Sequence, residues 1–167
     1  MEAIVTDQPE QTRPCRLVAV TLDEASISHI SREVDHERRV AIYDLVDDNS
    51  FAPAGHDSGE FTLNLALVSG RLVMQIGRQD GTQVITHVLS LSPFRRIVRD
   101  YFVVCDSYYQ AIKTASPSQI EAIDMGRRGL HNEGARALME RLDGKIVIDM
   151  NTARRLFTLI AVLQWKG

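Results

Sequence analysis

Phe61-Thr62-Leu63-Asn64-Leu65-Ala66-Leu67-Val68-Ser69-Gly70-Arg71-Leu72-Val73-Met74-Gln75-Ile76-Gly77 is the stretch on which the fold turns. Every second residue from Phe61 to Leu67 is apolar, and Leu72, Met74 and Ile76 resume the alternation after Ser69-Gly70. A period of two gathers each set on one face of a strand, and Ser-Gly is turn chemistry, so the segments read as an antiparallel hairpin. Phe61, Leu63, Leu65 and Leu67 then face Leu72, Met74 and Ile76 across the pair. Asp80-Gly81 marks a second turn, and Gln83 to Leu91 extends the hairpin into a meander.

Downstream, Ser92 as N-cap and Pro93 at the first helical position open a helix over Phe94 to Ile112. Its apolar residues recur at steps of three and four and cover the meander's apolar face. Ser116-Pro117, with Glu121 three residues after Ser118, opens another helix that runs toward Leu142 and stops at Asp143-Gly144. Lys145 to Asp149 is a short strand. Asn151 caps a last helix whose Leu156 to Leu163 segment is apolar nearly all round, which places it centrally. Upstream, Arg16 to Leu22 reads as a strand, Glu33 to Asp48 as a helix with an acidic outer face, and Asn49 to Gly59 as a loop. The fold class is α+β: an antiparallel meander sheet of about four or five strands with helices packed mainly on one face.

Residues 1–15 read as a flexible polar leader and residues 16–167 as one domain, which suits a chain of 167 residues with 44% apolar and 25% charged content. The leader lacks the basic and apolar regions of a secretory signal. The longest apolar run, Leu156 to Leu163, falls well short of the ~20 residues a membrane span needs. Cys15 and Cys105 form neither a disulfide framework nor a metal spacing, so a cytoplasmic location is expected. Charge is divided: residues 1–60 carry 5 Lys/Arg against 13 Asp/Glu, and the remainder is net basic. Of the 19 basic residues only Lys113, Lys145 and Lys166 are lysine, a bias toward the planar fork that suits carboxylate and phosphate.

One segment is more than scaffold: Asp124-Met125-Gly126-Arg127-Arg128-Gly129-Leu130-His131-Asn132-Glu133-Gly134. Each glycine in a helix interior costs about 1 kcal/mol relative to alanine. A break in the helix, a close backbone contact, or a ligand that needs the room must offset that cost. In a continuous helix Ile120, Ile123, Arg127, Leu130, Gly134 and Leu138 share a face, bringing a guanidinium to an apolar seam where Asp124 or Glu133 is the nearest partner. Three readings are open. In one, the arginines tie a kinked helix to carboxylates while His131 and Asn132 cap its second segment. In another, Arg127, Arg128 and Asn132 hold an anionic group while His131, with an unperturbed pKa of ~6.5, and Glu133 are the catalytic acid and base. In the third, the cassette is a partner-binding surface.

Sharper motifs fail. His131-Asn132-Glu133 matches half of a zinc deaminase signature, but no P-C-x-x-C accompanies it. His36-Glu37 begins H-E-x-x-H, yet Val40 stands where the second histidine belongs. Phosphate-loop, dinucleotide and nucleophile-elbow motifs are absent, so neither a metal nor a cofactor is expected. Arg95, Arg96 and Arg99, with Arg127, Arg128, Arg154 and Arg155, are numerous enough for a basic surface, and Arg95 and Arg96 are the outlying ligand-binding candidates. Without exposed aromatic residues among them, nucleic-acid binding is the weakest reading; the competing account pairs these arginines with the acidic first helix.

His36-Glu37-Arg38, Leu91 to Arg96, Cys105-Asp106-Ser107-Tyr108-Tyr109, Ile123 to Gly134 and Thr152 to Phe157 resemble an uncharacterised protein family of alphaproteobacteria, family 0262 of the UPF series. The resemblance covers nearly everything after the leader. It implies a bacterial cytosol and an arginine-rich proteome, and carries no activity, cofactor or catalytic residue onto the chain. The leading functional expectation is therefore a non-enzymatic interaction or regulatory protein whose cassette contacts an anionic partner, either a protein or a small molecule. Self-association is left open. The alternatives are a small enzyme acting on a phosphorylated or carboxylated metabolite and a weak RNA-binding protein.

Overall fold

The computed structural model describes residues 15–165. Of the leader placed on residues 1–15, residues 1–14 lie outside them, while Cys15 is buried, with its carbonyl accepting from Phe51 N at 2.9 Å. In chain order the elements are β1 (Arg16–Leu22), α1 (Arg32–Asp47), β2 (Phe51–Pro53), β3 (Glu60–Val68), β4 (Arg71–Gly77), β5 (Gln83–Ser90), α2 (Arg95–Thr114), α3 (Pro117–Leu142), β6 (Ile146–Ile148) and α4 (Met150–Leu163).

The chain is α+β, and the hairpin register is the one its alternation demands: Leu63 lies opposite Ile76, Leu65 opposite Met74 and Leu67 opposite Leu72. β5 pairs antiparallel with β4. The sheet is nevertheless mixed rather than wholly antiparallel. Its order is β1-β3-β4-β5, and β1 runs parallel to β3. The reason is α1, which intervenes between the two strands and supplies the long crossover a parallel pair requires. The presumed loop at 49–59 also contains β2, which pairs antiparallel with β6 as a separate two-stranded sheet. Asn49 takes the place of a strand partner for β1: its Oδ1 accepts from Leu17 N at 2.7 Å and its Nδ2 donates to Leu17 O at 2.9 Å.

Phe61, Leu63, Leu65, Leu72, Met74 and Ile76 are all essentially inaccessible, while Gln75 of β4 and Thr86 and Val88 of β5, which point the other way, are exposed, so the sheet has one covered and one open face. The core beneath it receives Ile97, Val98 and Tyr101 from α2 and most of α4, which is central as its all-round apolar character requires.

Three helix starts differ from the sequence reading. Ser92-Pro93-Phe94 forms a 3-10 turn ahead of α2, and Ser92 does not cap it. Ser116 does cap α3, but the reciprocal partner is Gln119 rather than Glu121. Asp149, not Asn151, caps α4, its Oδ1 accepting from Thr152 N at 2.8 Å. Beyond Tyr101, α2 and the first half of α3 form a less buried helical hairpin, with Val103, Tyr109, Ile112 and Met125 all exposed.

Candidate functional site: the α3 cassette and the cleft beside it

α3 passes through the cassette as one uninterrupted helix of 26 residues, so the glycines do not break it and His131 and Asn132 cap nothing. Ile120, Ile123, Arg127, Leu130, Gly134 and Leu138 do share the inward face. At its centre Gly134 touches α4 directly: a Cβ there would collide with the ring of the wholly buried Phe157. That contact accounts for one glycine. Gly126 and Gly129 meet nothing within 4 Å.

His131, three residues before Gly134, joins the helices by polar contacts. Its Nε2 lies 2.8 Å from Arg154 O and 2.9 Å from Thr158 Oγ1. A carbonyl only accepts, so Nε2 carries the proton and Nδ1 the lone pair. The ring stacks on Tyr101 at 5.5 Å and tilts against Phe157 at 5.9 Å. Burial pushes the imidazole below its usual pKa, partly opposed by the bond to Arg154 O, and the histidine is neutral at pH 7. The same burial pushes the Tyr101 phenol up to about 12.

The charged residues divide by face. Arg127 turns inward, donates through Nε and Nη2 to Asp124 Oδ1, and lies over the Tyr108 ring at 4.8 Å. Arg128 turns outward, 63% exposed, with Nε 3.1 Å from Asp124 Oδ2. These bonds, chiefly that from Arg127, hold the Asp124 carboxyl below its usual range. Glu133 is occupied elsewhere, 2.7 Å from Arg96 Nη2 on α2. Asn132 Oδ1 accepts from Arg154 Nε at 2.6 Å, and Arg154 Nη1 donates to Asn151 Oδ1 at 2.9 Å. His131 and Glu133 thus turn to different partners.

An open cleft of about 680 Å³ lies along the outward face, lined by Glu121, Met125, Arg128, Gly129, His131, Asn132 and Arg154. Arg128, Asn132 and His131 of the sequence candidates come together there. Arg127, Glu133, Arg95 and Arg96 are not among the lining residues. Arg154 entered the sequence reading only as one of seven scattered arginines; its bond to Asn132 spans 22 residues and leaves no local pattern. Of the arginines weighed against the acidic first helix, Arg155 reaches its end, donating to Asp48 O at 2.8 Å. Among the described residues no group of three or more His, Cys, Asp or Glu is placed to hold a metal ion. No described helix is long and apolar enough to cross a membrane.

The model of the uncharacterised protein family UPF0262 matches residues 14–166. The chain belongs to this family. Curated UPF0262 relatives include a protein of Rhodopseudomonas palustris strain BisB5, 62% identical over 97% of this chain and 99% of that one. A relative from Nitrobacter winogradskyi is 63% identical over 91% of each chain, and one from Xanthobacter autotrophicus is 61% identical over 98% of this chain and 100% of its own. No solved structure matches the UPF0262 fold described here.

Proposed function

We propose that the chain is a non-enzymatic interaction protein whose α3–α4 cleft receives an acidic segment of a protein partner, with Arg128 and Arg154 taking its carboxylates. Gly129 carries this reading. It sits in the interior of an unbroken helix at a cost of about 1 kcal/mol, with no packing contact to offset it, and it lines the cleft. Its place on the cleft sets it apart from Gly126, which is equally free of contacts among the described residues but does not line the cleft, and supports room for a ligand as what offsets the cost. Arg128 and Arg154 place two guanidinium groups at that room, and exposed Met125 adds the apolar contact common at partner surfaces.

The test is a photo-crosslinking amino acid at Met125 in cells that carry the protein. A discrete crosslinked species that disappears with Arg128→Glu, while the melting temperature is unchanged, supports the reading. Absence of any such species, or a species indifferent to Arg128→Glu, overturns it.

A second reading, a small enzyme acting on a phosphorylated or carboxylated metabolite, is favoured by the neutral His131 with Nδ1 unprotonated and by a cleft volume within the ~300–1,000 Å³ of small-molecule sites. A thermal-shift screen of phosphorylated metabolites separates the two: a bound metabolite at 100 times its Kd stabilises by about 2.7 kcal/mol.

A further inference from the structure

Arg38 is the one charged side chain classed as buried among the described residues, at 5% exposure. Helical periodicity places it on the inward face of α1 with Val34, Ala41 and Leu45. A guanidinium in that setting needs a close anion or a full set of acceptors. Arg38 falls short of both. Its Nη1 donates to Ser28 O at 2.9 Å, and its buried Nε has no partner among the described residues. The nearest carboxylate among the described residues, Asp35, is 3.8 Å away and lies closer to His29, at 3.0 Å.

Arg38 lines a second cleft, of about 350 Å³, together with Ser28, Leu91, Arg95, Leu163 and Trp165. Arg95 is exposed and makes no ion pair among the described residues. Its Nη2 lies 3.9 Å from where a Cβ on Gly70 would sit, beside the Ser69-Gly70 turn at the same cleft. One buried and one exposed arginine therefore line the same concavity, whose remaining lining joins an apolar part that includes Leu91, Leu163 and Trp165 to three serines and Gln164. The volume falls within the range of small-molecule sites, ~300–1,000 Å³.

We propose that this cleft binds a small organic monocarboxylate with an apolar or aromatic body, its carboxylate between Arg38 and Arg95 and its body against Leu91, Leu163 and Trp165. Arg38 and Arg95 set against Asp35 leave one net positive charge, which a single carboxylate neutralises and a phosphate dianion exceeds. The site shares no lining residue with the cassette cleft. Arg154 and Leu163 are separated by about 14 Å of α4, so the two sites stand or fall separately.

Trp165 is the only tryptophan in the chain, and its fluorescence reads this cleft directly. The full-length protein is titrated at pH 7 with phenylacetate, phenyl phosphate and acetate. A saturable change with phenylacetate is expected, with weaker binding of phenyl phosphate and none of acetate, which lacks the apolar body. Arg95→Ala weakens phenylacetate by about tenfold or more, the value of a charge-assisted hydrogen bond, and Arg38→Met removes the response. Should Arg38→Met fail to fold, exposed Arg95 decides alone. No saturable change with phenylacetate overturns the proposal, as does phenylacetate affinity unaffected by Arg95→Ala. Tighter binding of phenyl phosphate than of phenylacetate overturns the carboxylate assignment.

Discussion

The three glycines of α3 should respond in opposite senses to the same substitution. In Gly134→Ala the new methyl meets Phe157 Cε2 and Cζ inside contact distance and Cδ2 at 2.7 Å. That ring cannot swing away freely, because Tyr101 and His131 flank it at centroid distances of 5.6 and 5.9 Å. Overpacking of this kind costs about 1–3 kcal/mol, and the alanine recovers about 1 kcal/mol of helix propensity. The expected net loss is about 1 kcal/mol. Gly126→Ala and Gly129→Ala meet open space and gain about 1 kcal/mol each. At about 2–4 °C per kcal/mol for a chain of this size, Gly134→Ala melts below wild type and the other two above it. Urea unfolding at constant m-value confirms that stability alone has changed. A Gly134→Ala protein at least as stable as wild type would refute the close α3–α4 contact. A destabilised Gly129→Ala would refute the claim that this glycine is kept for room. If the claim holds, Gly129→Ala is also the variant that gains stability while losing Met125 crosslinking, a separation of stability from function that packing does not produce.

His131 sets a pH dependence: its pKa in the fold lies below the unfolded ~6.5, so its contribution is full above that pH and declines as pH falls through the window beneath it. The urea midpoint of wild type is expected to drop between pH 7.5 and 5.5 and that of His131→Asn to stay flatter; parallel profiles would contradict the buried neutral imidazole. Asp124→Asn removes the carboxylate that holds Arg127 and Arg128, so crosslinking from Met125 should strengthen, and weaker crosslinking would show that the ion pair organises the cleft instead. Arg96 and Arg99 already face Asp100 or Glu133, so a mobility-shift assay with single-stranded RNA is expected to show no binding at low salt. A shift with a steep salt dependence would restore the RNA reading.

What was legible in the chain depended on range. The hairpin register follows from a period of two and one Ser-Gly turn, and α4's central place follows from its all-round apolar character. Both are properties of adjacent residues. The parallel pairing of β1 with β3 and the pairing of β2 with β6 join segments separated by a helix or by most of the chain. No periodicity records such partners. Helix starts failed for a different reason: Ser92, Ser118 and Asn151 are all acceptable caps by residue type, and Leu91, Ser116 and Asp149 occupy those positions because the preceding strand or turn fixes where the helix enters.

The cassette was found by composition, but its division into two faces was not visible there. Arg127 and Arg128 are adjacent and chemically identical, yet a step of one residue along a helix is a turn of about 100°, which sends one inward over Tyr108 and the other out to the cleft. The same rotation separates Gly134, held against Phe157, from Gly129, which faces open space. The inward face joins α3 to α2 and α4, and the outward face lines the cleft with Arg128. Arg38 carries the complementary lesson. In the sequence Arg38 is one of three arginines in an acidic helix, beside Arg32 and Arg39, and only its burial, 5% exposed with Nε unpaired among the described residues, sets it apart as the anion-binding candidate of the second cleft.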